Sequence, residues 1–140
     1  MDCLHHLERE HDVTILFAAE SGSRAWGFPS PDSDYDVRFV YAHRRDWYLS
    51  IEPARRDVIE QAIEADLDVS GWDLRKALGL ALKPNPVLHE WLMSPIVYRQ
   101  HDAMAAKLRE FTSVVLAATP PVGHYNGLCA SQSNRHVRDR

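Results

Sequence analysis

Acidic residues at alternate positions inside an apolar strand are costly to fold, and this chain carries such a pair, Asp34 and Asp36 in "SDYDVRFVY". A carboxylate taken out of water needs compensation, and a metal ion is the obvious source of it. Side chains of a strand alternate between faces, so the two acids project to one side, about 7 Å apart along the chain. Ahead of them the β-branched and aromatic run "VTILFAAE" reads as a buried strand that ends at Ser21-Gly22-Ser23. Between the two strands, "GFPSPDSD" over residues 27–34 has the turn chemistry of a surface loop.

Around this unit the chain reads as a small mixed domain. Leu4 and Leu7 fit a short helix over residues 4–10, and "RRDWYLSI" is helical. "DVIEQAIE" alternates as a half-exposed strand, and "LDVSGW" is its neighbour, for about four strands in all. Asp73 is placed to cap "LRKALGLALK", which stops at Pro84. "NPVLHEWLM" is a short helix ended by Ser94-Pro95, and "DAMAAKLREFTSVVLAA" a longer one ended by Pro120-Pro121. The last stretch, "NGLCASQSNRHVRDR", lacks periodicity and apolar content, so residues 1–125 are expected to fold and residues 126–140 to be a disordered or truncated tail.

Composition narrows the function classes. With 140 residues, 45% of them hydrophobic and 26% charged, the chain suits one globular domain with a core. A net charge of -4 argues against a general nucleic-acid coat, although Arg44, Arg45, Arg55 and Arg56 form a local basic cluster. Cys3 and Cys129 have no metal-type spacing and suit a reducing, cytoplasmic setting. No apolar run is long enough to span a bilayer, and the N-terminus is too polar for a signal peptide, so no membrane association is expected.

The acids acquire chemical meaning from what surrounds them. A hard cation such as Mg²⁺ is held by one or two carboxylates and completed by phosphate and water; Mn²⁺ is its usual substitute. Gly22 lets the backbone approach phosphate closely, the Gly22-Ser23 turn offers N–H and hydroxyl donors, and Arg24 adds positive charge. Asp68, in the strand "LDVSG", is placed to supply a third carboxylate for a two-metal site, and Gly71 beside it suggests a backbone that something approaches closely. This order of parts suits phosphoryl or nucleotidyl transfer. Asp66 competes for the third position but falls in a turn. Arg38 is read as lying on the face opposite Asp36, an ion-pair partner or phosphate ligand outside the catalytic set. Trp72 and Trp91 read as core and Asp73 as a cap, and Trp26 alone is suspected of stacking on a base. The spacing of His5, His6 and His11 assigns no zinc.

Competing patterns fail at defined positions. An EF-hand starting at Asp32 would need Gly and Glu where Val37 and His43 stand. A Walker A loop starting at Gly22 would need Lys and Ser/Thr where Phe28 and Pro29 stand. A blander reading makes Asp32 and Asp34 turn residues and leaves Asp36 on an exposed edge strand. Against it stands the joint order of strand, Gly-Ser, loop, Asp-x-Asp strand and later Asp strand.

Three stretches, "SGSRAWGFPSPDSDYDVRFVY", "DLDVSGWDLRKAL" and "NPVLHEWLMSPIVY", resemble the predicted nucleotidyltransferases of the DNA polymerase β superfamily called the RlaP or YcgL-like family. The likeness covers residues 13–125. It implies an α+β nucleotidyltransferase fold, a small mixed sheet with helices packed on one side. It further implies Mg²⁺-dependent transfer of a nucleoside monophosphate from an NTP to an acceptor hydroxyl, in RNA or protein, with RNA repair suggested for some relatives. On this resemblance Gly22 and Ser23, with Arg24 nearby, hold the triphosphate. Asp34 and Asp36 bind metal, and Asp68 is the third acid that activates the acceptor. Relatives continue past His124-Tyr125 into further helices, so the chain reads as truncated or minimal. The rival expectation is a non-catalytic nucleotide-binding or regulatory module, antitoxin-like in its role.

Overall fold

The computed structural model describes residues 2–27, 34–51, 56–64, 66–83 and 85–118. Its elements run α1 (Asp2–His11), β1 (Val13–Glu20), β2 (Tyr35–His43), α2 (Arg45–Leu49), β3 (Val58–Glu64), β4 (Leu67–Asp73), α3 (Leu74–Ala81), α4 (Val87–Leu92), β5 (Val97–Gln100) and α5 (Asp102–Ala118). The strands form one five-stranded sheet in the order β3-β4-β2-β1-β5. Among the described residues only the β2–β4 pairing is parallel; β1–β2, β1–β5 and β3–β4 are antiparallel. The mixed sheet of an α+β domain is therefore as expected, with one strand more than the pattern suggested. The extra strand, β5, is four residues long and exposed at both ends, too short to show an alternating period.

Alternate residues of β2 feed two separate cores. Val37, Phe39 and Tyr41 join Val69, Ile59 and the α1 residues Leu4 and Leu7 on one face. Val40 joins Phe17, Ala19, Ala77, Leu88, Trp91 and Leu108 on the other, the face covered by α3, α4 and α5. Helices thus pack on both faces, which corrects the one-sided arrangement expected: Leu4 and Leu7 make α1 amphipathic, and their apolar edge closes the side that α3–α5 leave open. Burial on both sides also explains why β1 reads as a nearly continuous apolar run. A bulge between Ile15 and Phe17 leaves Leu16 as an extra residue. Residues on its two sides consequently face in opposite phase: Ile15 lies in the α1-side core and Phe17 in the other.

Two local expectations have direct physical counterparts. Asp73 caps α3 by accepting a hydrogen bond from the Arg75 amide at 2.9 Å, and it also accepts one from the Tyr48 hydroxyl at 2.6 Å. Gly71 is approached closely, but by the protein itself: a Cβ there would overlap the Phe39 ring, which lies opposite Gly71 across the β2–β4 pair. The expected ligand approach at Gly71 is replaced by core packing. Among the described residues no helix is long and apolar enough to cross a membrane. Arg55, Cys129, Pro120, Pro121 and the tail over 126–140 lie outside the described residues, as do Phe28, Pro29 and Asp32.

Candidate active site

The end of β1 and the start of β2 are tied together at the Gly-Ser turn. The Ser21 amide donates to the Asp36 carbonyl at 2.8 Å, and the amides of Ala25 and Trp26 donate back to the carbonyls of Gly22 and Ser23 at 3.0 and 3.3 Å. Residues 22–27 therefore coil as a compact turn against the first residues of β2. Gly22 is required there for space. A Cβ on it would overlap the Asp36 carboxylate, coming within 2.7 Å of its Cγ and 2.9 Å of its Cβ. Positive φ is not the reason, because the glycine in that region is Gly27, at +78°.

Parallel pairing of β2 with β4 sets Asp36 directly opposite Asp68. Both lie on the α3–α5 face, and β2 is an inner strand, so the edge-strand reading of Asp36 does not hold. Arg38 corrects a further expectation. Positions 36 and 38 are two apart and share a face, and the Arg38 guanidinium bridges the two acids. Its Nη2 lies 2.6 Å from Asp68 Oδ2 and 3.4 Å from Asp36 Oδ1, while Nη1 reaches the carbonyls of Val37 and Asp68 at 3.4 and 3.5 Å. Burial pushes the Asp36 carboxyl above its ordinary range. Arg38 opposes that shift, and the negative charges of Glu20, Asp68 and Asp34 add to it.

Glu20 is the residue that sequence reasoning missed. It is fully buried, and its Oε1 accepts from the amides of Asp36 at 2.9 Å and Gly22 at 3.3 Å. Its Oε2 accepts from the Tyr98 hydroxyl at 2.6 Å; burial and this bond push the Tyr98 phenol upward. One carboxylate thus holds the glycine turn, the first acid strand and β5 in fixed relation. The Gly22 amide, expected to point at phosphate, is engaged by Glu20 instead. The available signal was an acid closing an apolar strand next to Gly-Ser, but its partner Tyr98 is remote in sequence.

The remaining predicted residues gather at the same end of the sheet. Asp34 is exposed just before β2, and its carbonyl accepts from Arg24 Nε at 3.3 Å. Arg24 also stacks over the Tyr35 ring at 4.0 Å, so it links the glycine turn to the acid strand. Ser23 is exposed in the turn, and Trp26 is 54% exposed. Asp66 lies in the turn before β4, and its carbonyl accepts from the Tyr35 amide at 2.6 Å. Trp72 and Trp91 pack together with centroids 4.1 Å apart. Among the described residues no three His, Cys, Asp or Glu side chains converge as a metal cluster. Even so, the donor chemistry suits a hard cation: Asp36 and Asp68 present carboxylate oxygens toward one shared positive group. That group is Arg38.

The family whose sequence profile matches residues 1–140 is described as "RlaP: RNA repair pathway DNA polymerase beta family". Among curated proteins, the "Uncharacterized protein YcgL" of Bacillus subtilis (strain 168) is 48% identical over 139 residues, covering 99% of this chain. The chain spans about half, 52%, of that relative's length. No solved structure matches the chain. The profile match over the full sequence, the close relative and the Gly-Ser and Asp-x-Asp parts seated at one end of the sheet agree: the chain belongs to the RlaP family, the DNA polymerase β family of an RNA repair pathway.

Proposed function

We propose that the chain is the nucleotidyltransferase domain of a Mg²⁺-dependent enzyme that transfers a nucleoside monophosphate from an NTP to an acceptor hydroxyl on RNA. The observation that carries the reading is the pairing of Asp36 with Asp68 on adjacent parallel strands, with the Gly22 turn packed against Asp36. In this reading Ser23 and Arg24 receive the triphosphate, and Gly22 keeps the turn low enough for the phosphates to lie over Asp36. Asp34 and Asp36, with Asp68, would hold the cation. When bound, the cation neutralises phosphate charge as pyrophosphate leaves. Asp68 also accepts the acceptor's hydroxyl proton on a carboxylate oxygen. Glu20 holds the Asp36 and Gly22 backbones in register throughout. The family description supports RNA as the acceptor.

Label transfer tests this directly. The protein is incubated with each α-labelled NTP, Mg²⁺ or Mn²⁺, and RNA carrying a free terminal hydroxyl. Asp36→Asn is expected to weaken nucleotide·Mg²⁺ binding and transfer together. Asp68→Asn is expected to keep much of the nucleotide affinity while slowing transfer by about 10²–10⁴-fold, the loss typical of a missing general base. If neither the parent nor the variants transfer label and all bind nucleotide alike, the non-catalytic module is the correct reading. Arg38 already bridging the acid pair is the observation that favours that alternative.

A further inference from the structure

We infer that Arg38 is a resident counter-ion of the acid pair, which a divalent cation must displace in order to bind. This inference rests on the proposed metal site and adds a competition within it. A cation placed between Asp36 and Asp68 would compete for Asp36 Oδ1 and Asp68 Oδ2, the oxygens that Arg38 now engages. The guanidinium is well enclosed, with its side chain 20% exposed, and two carbonyls from Val37 and Asp68 back the two carboxylates around it. Two positive groups cannot share that position, because like charges in a partly desolvated setting repel strongly.

The site therefore has two arrangements, one compensated by the single positive charge of Arg38 and one by the double charge of a divalent cation. Without a cation, Arg38 bridges two carboxylates that would otherwise repel across the β2–β4 pair. With a cation, the guanidinium has to leave, and the fold gives it somewhere to go. A cavity of about 390 Å³ opens beside it, lined by Asp68, Ser70, Glu60, Trp72 and Trp91. Glu60 stands opposite Ser70 on β3, so a carboxylate one strand further out is the next partner for the displaced guanidinium. Trp72 and Trp91 border the same space, and an indole face also accepts a guanidinium. Cation affinity is thereby set by exchange of one positive group for another and not by filling of an empty acid cluster.

The test reads binding and side-chain position, not activity. Mn²⁺ affinity is measured by electron paramagnetic resonance for the parent and for Arg38→Gln, with folding checked by circular dichroism. Relief of competition is expected to tighten Mn²⁺ binding about tenfold or more. A more negative site would attract Mn²⁺ without any displacement, so a second measurement on the unmodified protein isolates the movement. The Arg38 Nε–H resonance is followed while diamagnetic Mg²⁺ is titrated. It is expected to shift in step with the Asp36 and Asp68 resonances, as the hydrogen bonds that Nη2 of the same guanidinium donates to the acids are lost. Equal Mn²⁺ affinity in the two folded proteins, or an Arg38 signal that stays still while the acid signals move, overturns the displacement and leaves the metal site standing. Failure of Mn²⁺ and Mg²⁺ to bind either protein overturns the metal site together with the inference.

Discussion

Replacing Gly22 with alanine should cost more than its one added carbon suggests. The new Cβ would overlap the Asp36 carboxylate, and rotating that side chain away does not cure the contact, because the Asp36 Cβ itself lies 2.9 Å from the added atom. The turn and β2 must therefore separate. Three bonds are at stake: Ser21 amide to Asp36 carbonyl at 2.8 Å, and the two amides that Glu20 accepts. Overpacking of this kind costs about 2 kcal/mol, which in a chain of this size lowers Tm by about 6 °C. Gly79 supplies the control. It lies in α3 with nothing within 4 Å of an added Cβ, so Gly79→Ala should gain up to about 1 kcal/mol from helix propensity and raise Tm by about 3 °C. Thermal unfolding followed by circular dichroism compares the two. If Gly22→Ala melts within a degree or so of the parent while Gly79→Ala shows its expected rise, the turn is not packed against Asp36 and the geometry drawn for the site is wrong.

Other perturbations address separate parts of the fold. Gly71→Ala would drive a methyl into the fully buried Phe39 ring; urea unfolding should show a loss of about 2–3 kcal/mol, and Phe39→Leu in the same background should recover part of it. Asp73→Ala removes the α3 cap and strands the Tyr48 hydroxyl, and should cost about 2 kcal/mol by the same assay. Glu8 provides a pH dependence. Burial pushes its carboxyl up, but the Ile15 amide, Arg99 and His5 together outweigh that and leave it below its ordinary range. A depressed acid contributes stability above its unfolded pKa and loses it as pH falls through the lower folded value. Acid unfolding curves should therefore show a smaller stability loss in that window for Glu8→Gln than for the parent, and parallel curves would remove Glu8 from the account.

What the sequence discloses here follows from the range of the forces involved. The run from Val13, the Asp-x-Asp strand, the later Asp68 strand and the Asp73 cap are all set by near neighbours, and each is found where its pattern puts it. The side on which α1 packs is another matter. Leu4 and Leu7 mark an apolar edge without saying which face of the sheet it covers, and that depends on α3–α5 having taken the other. β5 is recognisable only through its pairing with β1, since four residues carry too little periodicity. At the site, strand parity alone puts Arg38 beside Asp36, so its exclusion was a misassigned face. Glu20 is different in kind: its role exists only because Tyr98 and the Asp36 amide reach it across the fold. The close approach inferred at Gly22 is real, but the neighbour is Asp36.

The extra residue in β1 has an electrostatic consequence. Leu16 shifts the phase of the strand, so that Ala19 lies on the α3–α5 side, while Ala18, and by alternation Glu20, lie on the side of α1. Glu20 pairs with Val37 and shares its face, whereas Asp36 and Asp68 project from the other. The sheet therefore seats one anion behind it and two in front, linked through backbone amides, and the charge of Glu20 still reaches Asp36 through it. With an unbulged strand continuing the phase of Ile15, Glu20 would emerge beside Asp36 and crowd three carboxylates around a single guanidinium. One inserted leucine, well away from the acids, thus decides which face of the sheet the Glu20 carboxylate occupies.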